Sequence, residues 1–446
     1  MKHTIQTFFS LFGVLFINVF SSVLLSRGLT PDERGIYLGI TMWSGFIYGL
    51  CDIGIYTSAV YFWGKSKEDE KRDVFATLVW WALGTGVICV GVVALLADWM
   101  IKAHLDAAEM AAARFYFFTT LFGPITTMVT GILAAEQRFS WINLTRVGMP
   151  AITTLFWLVY FLGKSLSVAM CLITTGVLPL ITLFALAWQL RDRFRQWGRF
   201  RLAIFRRAAW YGLRGYGGQL VGTFGNNSTQ LLLFSLTPAA LAYYQTAGSA
   251  AGVLWAIPRA IITTSLPEFV RTDPQLLHQR ACRIFRLTML ATLAGMIALG
   301  AAVPVLIPLL FGAPYVMSVL PALILMPAAL FGGLSELLGN ALNSTGRTFH
   351  QTVANACTVG ATLLSLAITI PPWGLNGAAV SSCFGFVVSF MVRVVWYSRC
   401  IHRFTWQDVI PTTAEAREGV ALVRRAVQSL RRKAKEKPFV MSARKG

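Results

Sequence analysis

Four charged residues, Asp52, Arg214, Arg259 and Glu336, stand inside long apolar runs. A charge at such a position costs roughly 3 kcal/mol on membrane-insertion scales, and it ordinarily faces a partner or a wet cavity. A fifth, Arg393, lies near the end of its run, where its long side chain is expected to snorkel to the interface. Gln219, Thr223, Asn226 and Gln230 follow i, i+4, i+7, i+11, which is one face of a helix, and Asn227 flanks them. Gly215, Gly218, Gly222 and Gly225 fall between these residues and admit a close neighbour. The stripe has two readings: hydrogen bonds to sugar hydroxyls across an aqueous cavity, or hydrogen bonds to a neighbouring helix.

The elements that must carry these residues are read from composition. Of 446 residues 56% are hydrophobic and only 13% charged, with a mean hydropathy of +0.61. Twelve apolar segments, each able to cross a bilayer, fall at about 5–25, 36–63, 74–97, 115–135, 147–162, 166–190, 208–235, 239–266, 284–311, 316–342, 350–371 and 374–397. The first lacks a small-residue cleavage site and reads as a retained helix. The expected fold is therefore an all-α polytopic membrane protein of about twelve transmembrane helices. The seven cysteines show no CxxC spacing and read as small core residues. The five histidines are placed in tails, loops or span edges, which speaks against a buried histidine relay. No phosphate-binding loop, HExxH motif, Cys/His metal spacing or soluble dinucleotide-binding unit is present. Neither an enzyme activity, a cofactor nor a metal is expected.

The net charge of +20 invites a nucleic-acid reading, but membrane topology accounts for it. With the N-terminus inside, 31 of the 39 Lys and Arg residues fall in the inner loops and tail, and five fall outside. That bias places both termini in the cytoplasm. The segment Arg191–Arg207 carries seven arginines and divides six spans from six. The expected domains are thus residues 1–190, a basic linker 191–207, residues 208–397 and a basic tail 398–446. Anionic lipid headgroups, rather than RNA, are the expected partners of linker and tail. In the tail, Val420, Val423, Val427 and Leu430 keep helical spacing among arginines, the pattern of an interfacial amphipathic helix. Glu68-Asp69-Glu70, between Lys67 and Lys71, reads as a solvated loop.

Sliding the chain against itself by 207 residues aligns Leu29-Thr30-Pro31 with Leu236-Thr237-Pro238, Tyr37 with Tyr244, Gly45 with Gly252 and Thr57-Ser58 with Thr264-Ser265. Spans one and two thus correspond to spans seven and eight. A repeat of six spans keeps its orientation, which is the plan of two pseudo-symmetric six-helix bundles and of alternating access. Asp52 and Arg259 are equivalent in this repeat, which leaves two readings open: an ion pair or paired cavity charges between them, or an unrelated partner for each. Eight prolines within or beside spans, Pro124, Pro150, Pro179, Pro258, Pro304, Pro308, Pro321 and Pro327, suggest kinks.

Arg27-Gly28-Leu29-Thr30-Pro31 with Gly35-Ile36-Tyr37, Asp52-Ile53-Gly54-Ile55, the run Leu236 to Tyr244 and Gly374-Leu375-Asn376-Gly377-Ala378-Ala379 carry a resemblance over roughly residues 5–397. The chain resembles the polysaccharide flippases of O-antigen and capsule export, within the superfamily that also holds multidrug antiporters and lipid II flippases. The resemblance implies two bundles around a cationic cavity in a bacterial inner membrane. The substrate it implies is a polyprenyl-pyrophosphate-linked oligosaccharide, moved from the cytoplasmic to the periplasmic leaflet. On that reading Arg214 and Arg259 bind pyrophosphate. Gln219, Thr223, Asn226, Asn227 and Gln230 bind sugar, and Asp52 and Glu336 serve coupling. Polysaccharide polymerase or assembly proteins are candidate partners. A multidrug antiporter of the same fold and a non-transporting scaffold of a glycan assembly complex are the alternatives.

Overall fold

The computed structural model describes residues 2–101, 105–195, 197–271, 274–345 and 349–410. Among them the chain is nearly all helix, without a strand. The helices are α1 (Lys2–Gly28), α2 (Pro31–Cys51), α3 (Ile55–Lys65), α4 (Glu68–Ile101), α5 (Ala107–Thr119), α6 (Gly123–Ala135), α7 (Phe139–Leu162), α8 (Val168–Trp188), α9 (Arg191–Arg195), α10 (Leu202–Leu236), α11 (Pro238–Gly252), α12 (Ala256–Arg271), α13 (Pro274–Phe311), α14 (Val319–Ser344), α15 (Phe349–Cys400) and α16 (Trp406–Val409). Among the described residues seven helical stretches, one of them α5 and α6 taken together, are long and apolar enough to cross a membrane, and the pair α2–α3, bent by 45°, makes an eighth. α15 holds two spans, because Gly374 breaks it with φ 51° just after Pro371-Pro372. The twelve apolar segments of the sequence all fall on helices, three of them on α1, α10 and α11–α12 outside that count, and the protein is a multi-pass membrane protein.

Local chemistry explains where the spans begin and bend. Thr30 caps α2, and Glu33 Oε2 accepts the Thr30 backbone N–H at 2.8 Å, a reciprocal box with Pro31 at the first position. α2 ends at Asp52, whose carboxylate accepts the Ile55 N–H at 3.2 Å and so starts α3 after a left-handed turn at Gly54, φ 68°. Pro124 opens α6 after a 3-10 turn, and a second 3-10 turn, Val253–Trp255, separates α11 from α12. Pro150, Pro179, Pro304, Pro308 and Pro327 lie inside helices.

By contacts the chain forms two compact units, Met1–Ser249 with Pro304–Ala322 and Thr362–Ala379, and Ala250–Val303 with Leu323–Ala361 and Val380–Gly446. Within the first, α1 packs along α7, α3 along α6, α5 along α8, and α10 against α2 and α3. Its interior centres on Trp63, Phe75, Leu78, Met128 and Ile132. The repeated Thr-Pro starts meet here: a Cβ on Gly35 would overlap the Pro238 carbonyl. The second unit is built around Phe269, Phe285, Leu337, Leu338, Leu342 and Tyr397. In lipid, such close fits rather than expulsion of water hold helices together.

The structure changes two of the sequence expectations and adds detail to two more. Glu68, Asp69 and Glu70 form the first turn of α4, where carboxylates favour the positive helix end, and Glu68 pairs with Lys71 at 2.6 Å and Arg193 at 2.9 Å. The basic segment 191–207 is partly docked on α4. Arg199 N–H donates to Asp73 at 2.8 Å, Arg201 N–H donates to Thr77 Oγ1 at 3.1 Å, and α10 begins at Leu202. His350 stands at a span edge, the start of α15, where it is 1% exposed. Arg393 does not snorkel: it is 7% exposed in the second unit, its guanidinium packed on Gly339 of α14. The amphipathic pattern around Val420–Leu430 lies outside the described residues.

Candidate functional site

The first unit contains a cavity of about 300 Å³ between α1, α2, α7 and α11. Its polar wall is Asn18, Ser21 and Ser22 of α1, Arg34 of α2, Thr153 of α7, and Gln245 and Ser249 of α11, faced by Tyr37 and Trp157. Those two rings meet edge to face at 5.8 Å. Hydroxyls and amides beside aromatic faces form a surface suited to sugars and other hydroxyl-rich groups.

Arg34 dominates the electrostatics. It is 2% exposed, one turn into α2, where the sequence reads as an exterior loop. Its Nη1 donates to Thr246 Oγ1 at 2.6 Å, its Nη2 donates to Ser22 Oγ at 2.8 Å, and the Tyr315 ring lies 5.2 Å away. These partners are all neutral, and Nε is buried with no hydrogen-bond partner. A buried guanidinium with a vacant donor and no carboxylate partner is costly unless an anion completes it.

The intramembrane residues singled out by sequence are distributed as follows. Gln230 Oε1 accepts Gln245 Nε2 at 2.8 Å, which ties the polar stripe of α10 to the cavity wall. The methyl of Thr223 packs on Gly49 of α2, and Asn227 Nδ2 donates to the Thr223 carbonyl at 2.7 Å within α10. The side chains of Gln219 and Asn226 lie outside the described residues. Arg214 and Arg259 are both exposed, and each lies over the tryptophan one turn before it, Trp210 at 5.0 Å and Trp255 at 5.9 Å. The same Trp-x-x-x-Arg spacing thus recurs at Trp210–Arg214 and Trp255–Arg259. Asp52 is 7% exposed in the break between α2 and α3, and the buried Tyr216 hydroxyl, without a hydrogen-bond partner, lies in its field. Glu336 is exposed on α14, within electrostatic reach of Arg393, beside Ser335, whose hydroxyl meets Ser389 at 3.1 Å.

Arg34 was legible only as one charge three residues beyond Pro31. Burial depended on Ser22, Thr246 and Tyr315, which are far away in sequence. A second convergence also escaped the sequence, which gave no metal-ligand spacing: His278, Cys282 and Asp408 bring potential ligand atoms within 4.8 Å of one another in the second unit.

Residues 24–320 match the family profile described as polysaccharide biosynthesis protein. Among curated proteins no sequence match was found. Among solved structures, the lipid II flippase MurJ in an inward closed conformation superposes with a TM-score of 0.75 at 13% identity, covering 92% of this chain and 89% of that one. An inward-facing multidrug resistance transporter of the MATE family, in the MOP superfamily, gives 0.70 at 14% identity, covering 87% and 94%. An outward-facing MATE transporter gives 0.59 at 16% identity, covering 89% and 94%. At these identities the likeness is one of fold.

Proposed function

Because the chain belongs to the polysaccharide biosynthesis protein family, we propose that it is a flippase for polyprenyl-pyrophosphate-linked oligosaccharide. It moves this lipid from the cytoplasmic to the periplasmic leaflet of a bacterial inner membrane by alternating access, for assembly of a surface polysaccharide such as O-antigen, capsule or exopolysaccharide. The observation that carries this reading is the Arg34 cavity: a buried cation whose hydrogen-bond partners are all neutral, on a wall of hydroxyls and amides. Pyrophosphate supplies the missing anion and acceptor, and the neighbouring sugars meet Ser21, Thr153 and Gln245. A volume near 300 Å³ holds part of such a headgroup, with the polyprenyl chain left in lipid.

Arg214 and Arg259 act in the same reading as exposed pyrophosphate contacts, and the α10 stripe extends the sugar-binding surface through the Gln230–Gln245 bond. Asp52 and Glu336 carry coupling. Both termini face the cytoplasm, where the basic linker and tail meet anionic headgroups. A cavity walled by a buried arginine disfavours organic cations, which weighs against the multidrug alternative.

The test is a leaflet-resolved assay. Purified protein in liposomes receives a fluorescent polyprenyl-pyrophosphate oligosaccharide, and the fraction reaching the opposite leaflet is followed over time. Wild type accelerates transfer; Arg34→Ala reduces the rate at least about tenfold, the loss of one charge-assisted contact. Transfer equal to that of empty liposomes would overturn the flippase. Normal transfer by Arg34→Ala would leave the flippase standing and remove Arg34 from its mechanism.

A further inference from the structure

His278 and Cys282 stand four residues apart on one face of α13, and Asp408 is carried to them by the short helix α16. His278 Nε2 lies 3.4 Å from Asp408 Oδ1, and Cys282 Sγ lies beside the imidazole, 3.8 Å from Nε2 and 3.6 Å from Nδ1. A zinc ion bound at about 2.0 Å by nitrogen and oxygen and about 2.3 Å by sulfur, in a tetrahedral shell, sets such atoms about 3.3 and 3.5 Å apart. Two edges of such a shell are thus approximated, and all three ligand atoms lie within 4.8 Å of one another.

The surrounding groups fit the same purpose. His278 Nδ1 lies 3.2 Å from the Tyr397 hydroxyl, which can accept an Nδ1–H in the tautomer whose Nε2 lone pair is open. Thr405 donates to Asp408 Oδ2 through its N–H at 2.7 Å and its hydroxyl at 2.8 Å, so Oδ1 is the oxygen turned to the cluster. Arg286 Nη1 donates to the Asp408 backbone carbonyl at 3.3 Å. A divalent cation with one thiolate and one carboxylate is electrically neutral, and so tolerates that arginine. The ligand set of one sulfur, one nitrogen and one oxygen suits zinc; magnesium and calcium take oxygen. A Cys-His-Asp nucleophile is the other chemistry such a trio allows. Cys282, however, is 3% exposed and offers no approach to a substrate.

We propose that His278 Nε2, Cys282 Sγ and Asp408 Oδ1 bind a zinc ion with water in the fourth position, fastening the segment after the last span to the start of α13. Binding converts the Cys282 thiol to thiolate and releases one proton per ion, while the imidazole binds neutral and the carboxylate ionised. The site lies outside the transport cavity, and its existence is independent of which lipid the protein moves.

The experiment uses the full-length protein in detergent, stripped with chelator and titrated with Co²⁺ as a spectroscopic substitute. One equivalent should saturate, with thiolate-to-cobalt charge-transfer absorption and intense tetrahedral ligand-field bands, both bleached by Zn²⁺. Cys282→Ser, a near-isosteric change in a buried position, should abolish the charge-transfer band with elution and helicity unchanged. Tyr397→Phe keeps all three ligands and should weaken zinc binding ten- to a hundredfold, the usual effect of removing a supporting hydrogen bond. Absence of saturable binding, or a charge-transfer band that survives Cys282→Ser, would overturn the site and leave His278–Asp408 as an ordinary ion pair. A titration unaltered by Tyr397→Phe would overturn the assigned tautomer.

Discussion

Arg34 and Asp52 are both buried charges in the first unit, and their surroundings divide their roles. Arg34 uses two of its nitrogens on hydroxyls and keeps one donor vacant beside a cavity. Lysine carries the same charge but not the fork, so Arg34→Lys is expected to restore little of the transport lost in Arg34→Ala. The measurement is the initial rate of lipid transfer in liposomes at equal protein content. Asp52 closes a helix break through the Ile55 N–H, a role that an asparagine oxygen also fills. Asp52→Asn should therefore leave the melting temperature nearly unchanged, whereas Asp52→Ala should lower stability by about 1 kcal/mol. If the carboxylate charge serves coupling, Asp52→Asn also abolishes gradient-driven transfer; retained transfer would reduce Asp52 to a cap.

At the scale of elements, the crossings of α2 depend on missing side chains. Gly35 abuts the Pro238 carbonyl at the start of α11, whereas Gly45, on the same helix, has nothing within 4 Å of where a Cβ would stand. Gly35→Ala must push α2 and α11 apart, at a cost of about 1–3 kcal/mol. Gly45→Ala gains about 0.5–1 kcal/mol of helix propensity. Thermal unfolding in detergent should therefore move in opposite directions for the two substitutions. The sequence supplied much at this scale: the capping residues Thr30 and Glu33, the proline-opened helices and the break at Asp52-Ile53-Gly54 are local chemistry. It did not supply the docking of Arg199 and Arg201 onto α4, because backbone donors meeting Asp73 and Thr77 leave no periodic signature.

At the scale of the whole molecule, the basic residues decide the expected orientation. A cysteine placed at Ser165, in the turn between α7 and α8, should react with a membrane-impermeant maleimide in intact spheroplasts of a cysteine-free variant. One placed at Ser66, between α3 and α4, should react only after permeabilisation. The reverse pattern would invert the topology and with it the direction of the proposed transfer.

The sequence by itself determined that this chain is a helical, many-times-spanning membrane protein, because a bilayer demands long apolar runs and enforces their helicity. Through its repeat and motifs it also pointed to the family. Which charges line a cavity was decided only by tertiary structure. Arg34 and Arg393 are buried, and Arg214 and Arg259 are exposed beside tryptophans. His278 and Cys282 meet Asp408 from 126 residues beyond Cys282. Hydropathy is a property of each segment and survives in one dimension. The burial of a guanidinium depends on which distant hydroxyls and rings the packing brings around it.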